Sequence, residues 1–260
     1  MASIALSVNL NKIALIRNSR AGDSPSVVEF AQRSIDAGVN GITVHPRPDQ
    51  RHIRASDISP LSALCADHCN IEFNIEGNPC AQSQPSHRPD VTPYPGFLEL
   101  VEAVQPEQCT LVPDDQHQLT SDHGFDLSGD NRELALQIAR CKNAGSRVSL
   151  FMDPDTEYIK RAADLAADRI ELYTGPYAEA FARDGSNNEQ FERYCIAAEC
   201  AINCGLGVNA GHDLNLENLT EFSLLPGLQE VSIGHAFTID ALLAGWETCT
   251  TAYLDVLNTR

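Results

Sequence analysis

The sequence predicts an α/β fold, a TIM (β/α)8 barrel with extra loop and helical insertions, on three observations. Short apolar, β-branched runs recur eight times along the 260 residues. Each is followed by a segment whose apolar residues repeat at helical spacing, and eight such units in about 250 residues are the proportions of that barrel. The competing doubly wound sheet usually carries a glycine-rich nucleotide turn, yet neither G-x-G-x-x-G nor G-x-x-x-x-G-K-[ST] occurs. The chain therefore reads as one domain over residues 1–260.

In order, the strand candidates are IALSVN (4–9), GITVH (41–45), EFNIE (72–76), CTLVP (109–113), RVSLFM (147–152), RIELYT (169–174), GVNAG (207–211) and EVSIGH (230–235). Helix candidates between and after them include SVVEFAQRSIDAG, NRELALQIARCKNAG, DTEYIKRAADLAAD, NEQFERYCIAAECAINCG and FTIDALLAGWETCTTAYLDVL. Gly38, Gly145 and Gly205 fall where a glycine just past a helix end is expected. Two stretches break the rhythm. Residues 77–96 form a Pro-rich insertion after the third strand, on the side where barrels keep their chemistry, and read as a lid, a subunit contact or a disordered surface loop. Residues 113–130, PDDQHQLTSDHGFDLSGD, are acidic and read as a solvated connection.

Thirty-six acids against 18 bases leave a formal charge of −18, which opposes unspecific attraction to nucleic acid or to an anionic membrane. An anionic ligand would then need the few cations gathered at its site. No apolar run approaches the ~20 residues of a bilayer span. The start MASIALSVNLNKIAL also has polar residues where a signal peptide keeps an apolar stretch, so the expectation is a cytoplasmic protein. Nine cysteines without a C-x-x-C pair read as reduced, structural thiols, with a metal site on Cys65/Cys69 or Cys200/Cys204 as the weaker alternative.

Barrels meet their substrates at the C-terminal ends of the strands. There the first strand offers Asn9, Asn11 and Lys12, with Arg17 and Arg20 following, and the second offers His45, Arg47, Arg51 and His52. The third gives Glu76, the sixth Glu171, the seventh Asn209 and His212, the eighth His235. The Gly-His pairs in NAGH (209–212) and SIGH (232–235) end consecutive strands, where backbone N–H groups commonly bind phosphate. Arg47, Arg51 and His52 suit a second phosphate. H-E-x-x-H and G-x-S-x-G are absent, which leaves acid–base chemistry by His and Glu, without a metal, on a phosphorylated carbonyl compound.

These segments, VNLNKIALIRNSR (8–20), GITVHPRPDQRHI (41–53), TLVPD (110–114), VSLF (148–151), VNAGHDL (208–214) and SIGHA (232–236), together resemble the pyridoxine 5′-phosphate synthase family of vitamin B6 biosynthesis. The resemblance implies a transferase that condenses 3-amino-2-oxopropyl phosphate with 1-deoxy-D-xylulose 5-phosphate to give pyridoxine 5′-phosphate, phosphate and water, with no metal or organic cofactor. It implies a homo-octamer. By motif, His45 matches a general base, His212 a proton donor and a third-strand glutamate a second acid–base group. Asn9, Arg20, Asp213, Gly234 and His235 correspond to the aminoketone phosphate site, and Arg47, His52 and Thr120 to the deoxyxylulose phosphate site. The chain departs from the family pattern at Asn11-Lys12, where the family has Asp-His, and at Asp213, where it has Gly.

Two other functions fit the same residues: an aldolase-like barrel with Lys12 as Schiff-base nucleophile, or a sugar-phosphate-binding barrel without turnover. CNIEFNIEGNP also poses a register question. Glu72 and Glu76 share one face of the strand but stand about 13 Å apart along it. Gly77, Asn78 and Pro79 stop the strand, which puts Glu76 at the catalytic end and Glu72 near the base, with a cationic partner or exposed.

Overall fold

The computed structural model describes residues 3–115, 118–186 and 189–259. In chain order its strands are β1 (Ala5–Asn9), β2 (Gly41–Val44), β3 (Glu72–Gly77), β4 (Gln82–Gln84), β5 (Tyr94–Gly96), β6 (Gln108–Leu111), β7 (Arg147–Met152), β8 (Arg169–Tyr173), β9 (Gly207–Gly211) and β10 (Leu228–Ile233). All but β4 and β5 are parallel and close into a barrel in sequential order, β10 pairing with β1. The helices are α1 (Asn11–Asn18), α2 (Val27–Asp36), α3 (Ala55–Ala66), α4 (Phe97–Val104), α5 (Arg132–Asn143), α6 (Thr156–Asp164), α7 (Gly175–Asp184), α8 (Glu189–Asn203), α9 (Leu219–Phe222), α10 (His235–Ala244) and α11 (Trp246–Asn258). Their starts use local chemistry. Ser26 Oγ accepts from the Glu29 N–H at 3.2 Å, and Asp155 Oδ1 from the Glu157 N–H at 2.8 Å, satisfying donors that a first helical turn leaves unpaired.

Alternation along the strands divides the barrel into an apolar outside and a polar inside. Leu6, Val8, Ile42, Val44, Ile75, Leu111, Val148, Leu150, Ile170, Leu172 and Val231 are buried in the apolar core around which the helices pack. The alternate positions, among them Ser7, Thr43, Asn74, Thr110, Ser149 and Glu171, fill the interior and are also buried. Barrel interiors are usually filled with branched aliphatics; this one is a hydrogen-bonded ladder. Ser7 and Thr43 share a bond of 2.7 Å, Asn74 Nδ2 donates to Thr43 Oγ1 at 3.4 Å, and Thr110 Oγ1 donates to Asn74 Oδ1 at 3.2 Å. Such bonding offsets the cost of burying polar groups, although Ser149 Oγ, buried in the same interior, has no partner.

The structure also corrects the sequence reading. The apolar periodicity over 237–257 is two helices, because Gly245 adopts φ 88° and breaks it into α10 and α11. The structure adds helices α1, α3, α4, α7 and α9 to those named from the sequence. Insertion 77–96 is no featureless loop: β4 and β5 pair as an antiparallel ladder, and Tyr94 of β5 and Val91 before it are buried. Loop 113–130 is more than a solvated connection, since Asp114 and Ser121 are buried; residues 116 and 117 of that loop, like Asn188 of the predicted helix, lie outside the described residues. Among the described residues no helix is long and apolar enough to cross a membrane.

Candidate active site

The first strand ends at Asn9, and its amide organises the mouth of the barrel. Asn9 Nδ2 donates to Glu76 Oε2 at 3.1 Å, while its Oδ1 accepts from the Asn11 N–H at 3.0 Å. Asn11 Oδ1 in turn accepts from the His45 backbone N–H at 2.9 Å. Asn11 and Lys12 are thus the first residues of α1 rather than strand-end loop, and Asn11 pins the main chain of a histidine. Glu76 stands at the C-terminal end of β3, and Ser232 Oγ donates to its Oε1 at 3.4 Å. His45, just past β2, is held between two carboxyls: Nδ1 lies 3.9 Å from Glu76 Oε2, and Nε2 lies 3.7 Å from Asp114 Oδ2.

Burial dominates the electrostatics here, since a buried group resists whichever form is charged. Burial and then the cations and imidazoles around it, Arg47 first, hold His45 well below the usual imidazole range. Burial and the Asp114 carboxylate push Glu76 up to about 8. Glu171 is carried well above the carboxylate range by burial and by Glu76. The mouth therefore holds a histidine that resists protonation beside a Glu76 carboxyl that, at about 8, keeps its proton at neutral pH. Glu171 lies inside the barrel, with Oε2 3.4 Å from Thr110 Oγ1, whose one hydrogen serves either this carboxyl or Asn74 Oδ1. A Cβ at Gly211 would fall 2.5 Å from Glu171 Oε1, so β9 passes this carboxyl only because it carries a glycine there.

Arg47 and His52 flank His45. Arg47 is buried, ion-paired with Asp114, and its Nη1 donates to the Gln118 carbonyl at 3.2 Å. His52 is lowered to about 3 by burial and by Arg47, Arg51 and Lys12, and its ring centroid lies 6.1 Å from that of His45. A cavity of about 250 Å³ opens over this half of the mouth, lined by His45, Arg47, Arg51 and Asp114 and walled by Asn78, Gln82 and Gln84 from the insertion hairpin. Across the mouth, His212 packs its ring against Phe151 and Tyr173 at 5.1 and 5.9 Å. Its φ of 75° is strained for a side chain other than glycine, as at many functional sites. Burial lowers its pKa, against the pull of Asp213 and Asp114. Gly234 caps α10 and His235 begins it, so the unpaired N–H groups of a first helical turn stand at the end of β10.

Several expected residues are not buried in this cluster. Arg20, Thr120 and Asp213 are exposed, as is His235, whose backbone begins α10 at the mouth. Beside Thr120 it is Ser121 that turns inward, donating to Asp114 Oδ2 at 2.8 Å. Arg17 is structural, with both terminal nitrogens on Asp57 at 2.6 and 2.9 Å and one also on the His52 carbonyl at 3.0 Å. Asn209 belongs to the base of the barrel, where Arg169 Nη1 donates to its Oδ1 at 3.0 Å. Lys12 is half-buried, and its charge is felt at both His52 and His212. Glu72 lies at the base, ion-paired with Arg147. Sequence reasoning missed Asp114, although its place one residue beyond Pro113 at a strand end was the available signal. Among the described residues no group of three or more His, Cys, Asp or Glu side chains is placed to hold a metal, the two cysteine pairs included.

The family model described as Pyridoxal phosphate biosynthesis protein PdxJ matches residues 6–259. Pyridoxine 5′-phosphate synthase of Xanthomonas oryzae pv. oryzae (strain MAFF 311018) is 54% identical over 256 residues, covering 98% of this chain and 97% of that protein. The protein of that name from Xylella fastidiosa (strain 9a5c) is 47% identical over 254 residues, covering 97% and 94%. Among solved structures, the 4-hydroxy-2-oxoglutarate aldolase/2-deydro-3-deoxyphosphogluconate aldolase from TTHB1 superposes with a TM-score of 0.58 at 14% identity, covering 98% of this chain and 94% of that one. A mutant tryptophan synthase alpha-subunit from the hyperthermophile Pyrococcus furiosus gives 0.57 at 14%, covering 98% and 96%. At such identities these two share the fold alone.

Proposed function

Because the chain belongs to the family of pyridoxal phosphate biosynthesis protein PdxJ, we propose that it is a pyridoxine 5′-phosphate synthase whose mouth divides proton transfer and phosphate binding between named residues. The substrates are 3-amino-2-oxopropyl phosphate and 1-deoxy-D-xylulose 5-phosphate, and the substrate's own amine forms the Schiff base. The protein's task is then to move protons and hold two phosphates. His45, neutral because it is buried beside cations, takes up protons. Glu76, raised to about 8, supplies and recovers them. Glu171 is a second buried acid beneath them, and His212 serves as proton donor from the opposite side. Arg47 and His52 hold the deoxyxylulose phosphate. The start of α10 at Gly234 and His235 holds the aminoketone phosphate with Asn9, while Lys12 contributes charge to the same mouth.

The observation that carries this reading is His45 Nδ1 at 3.9 Å from a Glu76 carboxyl that burial keeps protonated, beside the buried guanidinium of Arg47. Incubating the protein with both phosphorylated substrates should yield pyridoxine 5′-phosphate without added metal or organic cofactor. Absence of product at high protein concentration overturns the assignment.

The transferase reading carries with it a cytoplasmic location and a homo-octamer. Self-association is supported by an apolar surface on two neighbouring helices, where Leu15 and Ile16 of α1 and Ile239, Leu242 and Leu243 of α10 are exposed. Sedimentation at micromolar concentration should give an assembly; a monomer there rejects this part of the reading.

A further inference from the structure

Asp114 has no role in the division of labour above, yet one of its carboxyl oxygens is contested by three groups. Arg47 Nη2 is ion-paired with Oδ2, Ser121 Oγ donates to it at 2.8 Å, and His45 Nε2 lies 3.7 Å from it, beyond hydrogen-bond reach. The main chain is fixed separately, because Asn78 Nδ2 donates to the Asp114 carbonyl at 2.7 Å. The carboxylate can therefore change partner without moving the backbone.

We propose that Asp114 couples phosphate binding at Arg47 to proton transfer at His45: the phosphate takes the guanidinium from Asp114, and the released Oδ2 closes on Nε2–H of His45. The proposal rests on the reading of Arg47 as a phosphate grip and His45 as the base. A phosphate dianion presents more charge and more acceptor oxygens to the planar guanidinium fork than a carboxylate does, so it prevails in the exchange. A carboxylate on one imidazole N–H fixes the tautomer and stabilises the imidazolium that forms when the other nitrogen accepts a proton. Here Nδ1, which faces Glu76, accepts the substrate proton, and Nε2–H stays with Asp114. One proton moves and no further reactant is required.

Asp114 is thus a positioning residue that acts through Arg47 and His45. Without phosphate its oxygen is occupied, and His45 stays an unassisted base among the carboxyls of Glu76 and Asp114, the cations Arg47 and Arg51 and the imidazoles of His52 and His212. The device selects for phosphorylated substrates at the chemical step as well as at binding.

The test starts from turnover of the unaltered protein and its loss in His45→Ala. If that fails, the functional reading has failed and the coupling is not at issue. Asp114→Asn should then lower kcat on the order of 10²-fold. It should leave KM for 1-deoxy-D-xylulose 5-phosphate unchanged or lower, because a competitor for Arg47 is gone, and shift the acid limb of the kcat–pH profile to lower pH. Asp114→Glu should restore part of kcat. A raised KM with intact kcat, or parallel losses with an unmoved acid limb, marks a scaffold role and overturns the proposal. A second measurement needs no turnover. Inorganic phosphate titrated into the unaltered protein without substrate should raise the pKa of the His45 imidazole read by NMR, and Asp114→Asn should abolish that rise. No shift at saturating phosphate, or the same shift in Asp114→Asn, overturns the coupling.

Discussion

The two ends of β3 hold the same residue type in opposite electrostatic states. At the base, burial alone would raise Glu72, but the Arg147 guanidinium outweighs it and the carboxyl sits below its usual range. Arg169 pairs with Glu230 at 3.1 Å in the same layer, and Gln108 Nε2 donates to Glu230 Oε1 at 3.3 Å. Even so, burial raises the Glu230 carboxyl and lowers the Arg169 guanidinium, so of the two base carboxyls only Glu72, half-exposed beside Arg147, is held below its usual range. At the mouth Glu76, on the same face of the same strand, meets an amide, a hydroxyl and a second carboxylate, while the nearby guanidinium of Arg47 is spent on Asp114. The difference teaches that position along a strand does not by itself set the charge of a carboxyl; burial and the reach of a counter-ion do.

The sharpest way to break this contrast is to neutralise each glutamate in turn. Glu76→Gln should lower kcat by about 10³-fold or more, with Glu72→Gln leaving it nearly unchanged in the two-substrate assay. The reverse pattern would mean that the base is the reactive end. Next in size is the effect on the pH profile. Because Glu76 is raised to about 8, the native protein holds a proton there that the unfolded chain has already released above its ordinary value of 4.5. Stability from this group is full below that value and falls as pH rises through about 8, so denaturation of the unaltered protein at pH 6 and pH 9 should show a loss that Glu76→Gln lacks. Activity should decline over the upper part of the same range as the acid ionises.

A smaller effect tests the close packing over Glu171. Gly211→Ala would press a methyl group to 2.5 Å from Glu171 Oε1 and 3.0 Å from the Ser232 carbonyl. Displacing both should cut kcat roughly 10-fold while the far-ultraviolet spectrum is kept. A normal kcat would show that Glu171 has room to move. The smallest expected change is the stability of Glu72→Gln. Its pair with Arg147 is half-exposed, so urea denaturation should report a loss of about 1 kcal/mol or less. Its sign is opposite to that of Glu76: the stabilisation is present above the ordinary carboxylate pKa and disappears as pH falls through the lowered one.

Much of this was legible in the sequence because alternation and strand termination are local. The eight barrel strands, the inward direction of Glu76, and His45 at the end of β2 follow from β-branched runs closed by Gly, Asn or Pro. Legibility failed where a long-range partner decides the outcome. Arg17 reads as another strand-end cation until Asp57 claims it from the start of α3. Asn209 reads as a mouth residue until Arg169 and Glu230 hold it at the base. Asp114 sits in an acidic run that suggests solvent, and only the approach of β2 and its loop supplies the arginine and histidine that make it matter. The break at Gly245 was hidden because apolar residues run on from α10 into α11 on both sides of the glycine.

The ladder inside the barrel sets a rule for transplanting this chemistry. Glu171 and Asn74 share the one hydrogen of the Thr110 hydroxyl, and Asn74 donates to Thr43, which shares its bond with Ser7. A host barrel plugged with aliphatic side chains could receive the mouth loops intact and still strand the buried acid above a surface that offers it no donor, at a cost of about 1–3 kcal/mol for each polar group left unpaired. The portable module is therefore the rim together with the uncharged rungs beneath it. The charged base can stay with the donor.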